Sequence, residues 1–232
     1  MDLASEFPLD EGLCYLNHAA VSPWPRRARD AIVAFASENA AQGARDYPRW
    51  MEKNDCLKRQ MAALLNAASE DEIALVKNTS EGLSFVANGI DWTAGDEIVI
   101  SDEEFPSNRV VWEALEPRGV KVVKVPLRNG SRTPEQALID ACGPRTRMLA
   151  ISAVQYASGL RMDLETLGRF ANEQGLLFCV DAIQRIGAEP FDVEAIGADF
   201  AIADGHKWML GPEGLGLFYI RRSRMDEVSI SE

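Results

Sequence analysis

Hydrophobic and polar positions follow two different periods along this chain. From Pro23 to about Leu65 the apolar residues recur at helical spacing: Ala28, Ile32, Phe35 and Ala36, then, after a break around Gln42 and Gly43, Trp50, Leu57, Met61, Leu64 and Leu65. Two helices are predicted, and an apolar stripe at that spacing is ordinarily core. From Glu72 onward the pattern shortens to apolar runs at Ile73–Val76, Glu97–Ile100, Val120–Val125, Met148–Ile151, Leu176–Val180, Phe200–Ala203 and Leu215–Ile220. Most gaps between them hold amphipathic stretches of helical length: SNRVVWEALEPRG, TPEQALIDACG and DLETLGRFANEQG, each ending in glycine near the expected helix C-terminus.

Strands alternating with helices mean βαβ units and a mostly parallel sheet buried on both faces, so the predicted fold class is α/β. In open α/β sheets, ligands bind beyond the carboxyl ends of the strands. The residues following the runs are therefore the place to look for chemistry. They are Lys77, Asn78, Thr79, Ser80 and Glu81 after the first run, SDEEFPSN with Phe105 after the second, and Ser152 and Gln155 after the fourth. Asp181 and Gln184 follow the fifth, and Asp204, Gly205, His206, Lys207 and Trp208 the sixth. Five strand ends bearing polar, aromatic or titratable groups are expected to converge on one rim.

Composition narrows the classes. The chain has 232 residues, 47% hydrophobic and 26% charged, the balance of a folded globular protein rather than a disordered or fibrous one. No apolar run approaches the roughly 18 residues of a bilayer span, so no membrane association is expected. The 24 Lys and Arg against 36 Asp and Glu give a charge of −12, which repels phosphate backbones and argues against a nucleic-acid partner. Cys14, Cys56, Cys142 and Cys179 form no metal-binding spacing and there are two histidines, so no metal site is expected. MDLASEFPLDEGL has neither a basic start nor an apolar core, so a cytoplasmic protein with reduced thiols is the expectation.

Lys207, at a strand mouth after glycine and histidine, is either a solvated surface residue or an amine that forms a Schiff base with an aldehyde, the way pyridoxal 5'-phosphate is held. That cofactor needs three further groups. Asp181, directly after the apolar run LLFCV, is placed to keep a pyridine nitrogen protonated, although an aspartate there often only caps a turn. Thr79 and Ser80, where the first strand hands over to a helix, offer hydroxyls and free N–H groups to a phosphate, although Ser and Thr are also ordinary helix caps. His206 is a second phosphate donor or a loop histidine. Phe105 stacks on a ring or is core, and Gln184 is within reach of a ring hydroxyl.

Together these residues resemble a known pattern. ADGHKWMLGPEGLGLFYI is similar to the Schiff-base segment of class V, fold-type I pyridoxal phosphate enzymes, and FCVDAIQRIGA to their aspartate segment. YLNHAAVSPWP, VKNTSEGLSFVANGI and DEEFPSNRVVW resemble their N-terminal, phosphate and ring-stacking segments, so the likeness runs from about residue 13 to 220. The family includes class V aminotransferases, cysteine desulfurases, selenocysteine lyases and isopenicillin N epimerase-like proteins. The resemblance implies a three-layer sandwich whose large domain spans residues 26–232, with residues 1–25 contributing to the pocket and small domain. It implies a homodimer acting on an amino acid by transamination, C–S cleavage or epimerisation. It gives Lys207 the aldehyde, Asp181 the pyridine nitrogen and Gln184 the ring oxygen. Ser80, Thr79 and His206 take the phosphate, and Asn17 and His18 lie on the substrate side.

Three positions depart from that pattern. Phe105 stands where desulfurases often have histidine. Ser152-Ala153-Val154 replaces a Ser-Asn-Val, with Gln155 as a substitute for the asparagine contact. Asp204 replaces a small hydroxyl residue, and a carboxylate beside a phosphate is repulsive, so Asp204 is expected to turn away or pair elsewhere. Relatives also continue into a C-terminal domain carrying an arginine for the substrate carboxylate, whereas this sequence stops at SISE. The rival expectation is thus an inactive module that binds the cofactor without turnover. A nucleotide-binding domain is disfavoured, because KNTSEG lacks the glycines of a pyrophosphate loop.

Overall fold

Each of the seven short apolar runs is a strand of one sheet, for each is too short to bury a helix and is bounded by turn residues. The computed structural model describes residues 2–128 and 132–229. Its strands are β1 (Ile73–Val76), β2 (Glu97–Ser101), β3 (Lys121–Val125), β4 (Thr146–Ser152), β5 (Leu177–Asp181), β6 (Phe200–Asp204) and β7 (Gly216–Ile220), ordered β1-β7-β6-β5-β4-β2-β3. Strands β2 to β6 pair in parallel, and β7 is antiparallel to both β6 and β1. All strands except β7 therefore end on the same rim.

The helices are α1 (Leu3–Glu6), α2 (Arg26–Gln42), α3 (Tyr47–Leu65), α4 (Thr79–Gly89), α5 (Ser107–Glu113), α6 (Pro134–Ala141), α7 (Leu164–Gln174) and α8 (Val193–Ile196). The period of two along β4 decides the layers. Met148 and Ala150 join Leu83, Val86 and Trp112 on the face covered by α4 and α5. Leu149 and Ile151 join Leu65, Leu138, Leu167 and Ile196 on the face covered by α3, α6, α7 and α8. The α/β class predicted from the pattern, and the three-layer sandwich that the resemblance implies, are thus the architecture observed.

Local signals set the helix ends. Asn78 accepts from the Glu81 N–H at the start of α4, and Asp163 from the Thr166 N–H at the start of α7. Helix α7 stops at Gly175 in the left-handed region, as its glycine predicts, whereas α6 is capped by extended Cys142 before Gly143 is reached.

One expectation about packing is overturned. The stripe Ala28, Ile32, Phe35 and Ala36 predicts a core-facing helix, but α2 buries none of its residues. It lies outside the sheet and leans on α3, with the Phe35 and Trp50 rings 5.1 Å apart and Trp50 Nε1 donating to Glu38. Only the C-terminal turns of α3 reach the core, through Met61, Ala62 and Leu65.

The segment after β7 is tied to the sheet by charge. Asp199 is 1% exposed; it accepts from the Phe178 N–H at 2.9 Å and from Arg224 Nε at 3.0 Å, with Arg221 Nε at 3.6 Å. Removing one member of a buried pair strands the others. Asp199→Ala is expected to cost about 3 kcal/mol, measured as a lower urea midpoint; a loss within the range of a surface ion pair would contradict this role.

Candidate active site

The rim gathers residues from four strand ends into a cavity of about 130 Å³, lined by Asn78, Thr79, Ser80, Phe105, Ser107, Asp181, Ile183, Asp204, His206 and Lys207. The loop after β6 folds back tightly enough to present Lys207. The Gly205 N–H donates to the Leu215 carbonyl and the Gly211 N–H to the Gly205 carbonyl. A Cβ at Gly205 would stand 2.6 Å from the Leu215 oxygen, so only glycine fits there. Leu210, at φ 59°, closes the turn in a conformation that side chains other than glycine rarely adopt. Lys207 Nζ consequently lies 5.7 Å from the centre of the Phe105 ring, which is half-exposed and braced edge-on by Tyr156 at 5.0 Å.

Burial shifts the two central groups toward their neutral forms. Burial pushes the Asp181 carboxyl up to about 7, opposed by the Ile183 N–H that donates to it at 3.1 Å, with the Glu104 charge adding to the rise. Burial also lowers the Lys207 amine below its ordinary value, while Asp181 and Asp204 pull it back up. Both groups move toward their neutral forms because desolvation outweighs their mutual attraction.

The other wall is an anion cradle. The Ser80 and Ser107 hydroxyls are 2.8 Å apart, and the buried Thr79 Oγ1 and His206 Nδ1 have no hydrogen-bond partner. Asp204 does not turn away from the cavity. It stays inside it, with Oδ1 3.3 Å from His206 Nδ1 and accepting the Gly205 N–H. Unpaired buried donors and acceptors beside a helix N-terminus suit a phosphate, and a buried amine opposite an aromatic face suits an aldehyde-bearing ring.

Other expected site residues stand outside this lining. Gln184 is engaged at both ends of its amide, donating to the Ala19 carbonyl at 2.9 Å and accepting from Trp208 Nε1 at 2.9 Å. His18 stacks on Trp208 at 5.7 Å, which brings the N-terminal segment to the Lys207 loop, and exposed Asn17 lies beside it in the chain. Gln155 is buried beneath the rim, donating to Ser101 and Glu104. Sequence reasoning missed Ser107 and Glu104. Ser107 meets Ser80 only across 27 residues of chain, and no local pattern marks that meeting.

A larger groove of about 800 Å³ flanks the Phe105 turn, lined by Asp102, Glu103, Arg109, Arg128 and neighbours. Its arginines are already paired, Arg128 with Glu103 across the groove at 2.8 Å and Arg109 with Glu113 on its own helix at 3.1 Å. The smaller cavity, with its unpartnered atoms and perturbed pair, is the better candidate.

Comparison with known proteins shows the family. The family described as aminotransferase class-V matches residues 14–230. This chain belongs to the aminotransferase class-V family. A probable cysteine desulfurase of Methanothermobacter thermautotrophicus is 36% identical over 222 residues, which are 94% of this chain and 55% of the relative. A cysteine desulfurase of Salmonella newport is 31% identical over 226 residues, 93% of this chain and 55% of the relative. Among solved structures, the cysteine desulfurase CsdA of Escherichia coli superimposes with a TM-score of 0.86 at 30% identity, over 98% of this chain and 59% of that one. The cystine C–S lyase C-DES, in complex with cysteine persulfide, shares the fold with a TM-score of 0.91 at 24% identity, over 97% and 61%. This class-V chain thus spans little more than half the length of the curated relatives it matches.

The Asp181 shift has a consequence for stability. Its ordinary value is 3.8, so between about 4 and about 7 the folded chain keeps a proton that the unfolded chain has released. Its contribution is fully present below about 4 and is lost as pH rises through about 7. Asp181→Asn, which keeps the acceptor for Ile183, is expected to gain on the parent chain over that window and to plateau above it. Urea unfolding of the cofactor-free proteins at pH 5 and pH 8 checks this; equal differences at the two pH values would count against it.

Proposed function

We propose that this chain is the cofactor-binding part of a pyridoxal 5'-phosphate enzyme that cleaves the C–S bond of a cysteine-like amino acid. The observation that carries the proposal is Lys207 Nζ facing the Phe105 ring in a cavity shared with Asp181. Of the three chemistries the family resemblance allows, C–S cleavage is favoured over transamination and epimerisation because the curated relatives quoted are named as cysteine desulfurases.

The residues divide the work as follows. Ser80, Ser107, Thr79 and His206 hold the phosphate, answering the unpartnered Thr79 and His206 atoms. Phe105 presents an apolar face to the ring. Asp181, buried and with its carboxyl raised to about 7, would be the acid partner of the ring nitrogen, and Gln184, with a second amide hydrogen, would be the donor for the ring oxygen. Bound there, the cofactor supplies an electron-withdrawing ring that stabilises negative charge at the substrate α-carbon. Phe105 carries no titratable atom, so Lys207 Nζ moves the α-proton. Its desolvation lowers the amine's pKa and so favours the neutral form that accepts the proton. His18 and Asn17 border the substrate side, which assigns residues 1–25 to the pocket and residues 26–232 to the large domain.

The cysteines favour release of sulfur over its capture in this cavity. No cysteine is among the described lining residues; Cys179 is buried with its thiol pushed up by burial, and Cys142 is pushed up to about 11 by the same cause. The assembly proposed is a homodimer in the cytoplasm. Exposed Val33, Phe35 and Met51 on α2 and α3 support a second copy, and among the described residues no helix is long and apolar enough to cross a membrane.

Pyridoxal phosphate added to the chain and trapped with borohydride is expected to label Lys207 on peptide mapping. Label on Lys77, or on no lysine, would sink the assignment. With cysteine in deuterated water, α-proton exchange is expected to fall by about 100-fold or more in Lys207→Ala and in Asp181→Asn. Asp181→Asn should lose less in cofactor binding than in exchange, because the phosphate contacts remain; unchanged exchange would reduce Asp181 to a turn cap.

A further inference from the structure

Glu104 does not line the small cavity, yet it is 5% exposed and accepts from five donor groups on four residues. Ser101 Oγ donates at 2.9 Å, Asn108 Nδ2 at 2.8 Å, Gln155 Nε2 at 2.9 Å and the Ser152 N–H at 3.1 Å, and Ser152 Oγ is the fifth. These donors come from the end of β2, from α5 and from the end of β4 and the loop after it. Asn108 is itself fixed by the Trp112 Nε1–H at 3.0 Å. A buried carboxylate is stable only when donors surround it, and here they knot the Phe105 turn to the neighbouring strand.

The knot sits one strand from Asp181. Ser152 and Asp181 are register partners across β4 and β5, and the Ala153 N–H donates to the Asp181 carbonyl. We propose that Glu104 is a positioning residue of this site: it locks the Phe105 turn onto the end of β4 and supplies the negative charge beside which Asp181 works. The role given to Asp181 rests on the function proposed above; the hydrogen bonds that hold Glu104 do not. The charged groups whose fields act on Asp181 are Glu104 from the turn after β2, and Asp204 and Lys207 from β6 and its loop. His206 lies in the same cavity and Cys179 on the same strand. Among them Glu104 is the negative charge held in place by the most donors.

Two variants separate the charge from the packing. Glu104→Gln removes the charge, and Ser101→Ala removes one donor while leaving the charge less well answered. In the cofactor-free full chain with ¹³C-labelled carboxyls, NMR titration is expected to move the Asp181 midpoint down by about half to one pH unit in Glu104→Gln and up in Ser101→Ala. With pyridoxal phosphate added, the pH transition of the bound absorbance is expected to move in the same directions. A folded Glu104→Gln with an unmoved Asp181 midpoint overturns the proposal. If that variant does not fold, an unmoved midpoint in Ser101→Ala does so. A chain that takes up no pyridoxal phosphate overturns the reading of the site, and the NMR shift still decides the part played by Glu104.

Discussion

A parallel strand covered on both faces can place a charge only where it stops, and β5 ends on Asp181, which is 2% exposed. The rest of the site is arranged around that carboxylate. It needs the Ile183 N–H to tolerate ionisation at all, it feels Lys207 as its counter-charge, and Glu104 and Asp204 work against its ionisation. A buried acid balanced in this way exchanges a proton near neutral pH at small cost, which an isolated aspartate in water cannot do.

The amine opposite it depends on strand direction. Because β7 returns antiparallel to β6, the chain must turn back over the rim within residues 205–215, and the Gly205 and Leu210 conformations make that turn possible. Lys207 is carried on this turn and not on a strand, so its distance from Phe105 is governed by backbone hydrogen bonds to Leu215 and Gly205. The Phe105 turn, on the other side, is governed by the Glu104 knot. Two independently braced loops thus define the opening between amine and ring, and neither brace lies in the cavity itself.

Asp204 illustrates how a locally unfavourable residue is absorbed. A carboxylate beside an anion cradle is a liability, and it is met by the His206 imidazole 3.3 Å away and by the Gly205 N–H. The backbone donor gives the carboxylate a hydrogen bond where it would otherwise be bare. The exposed α2, with its apolar Val33 and Phe35, is a local pattern that this sheet leaves unused.

Periodicity by itself determined the seven strands, most of the helices on both faces and the rim on which Lys207, Asp181, Phe105, Thr79 and Ser80 meet, because burial on two faces and helix capping are local demands written in neighbouring residues. The glycine after α7 was legible for the same reason, whereas the cap of α4 is Asn78 and not the Thr79 or Ser80 hydroxyl. Tertiary structure alone decided that Gln184 is tied to Ala19 and Trp208, that Gln155 serves Glu104, that Ser107 joins Ser80, and that α2 lies outside the core. Those outcomes depend on which strand lies beside which: hydrogen bonds between residues 24 to 165 positions apart are set by sheet order, and no local period encodes that order.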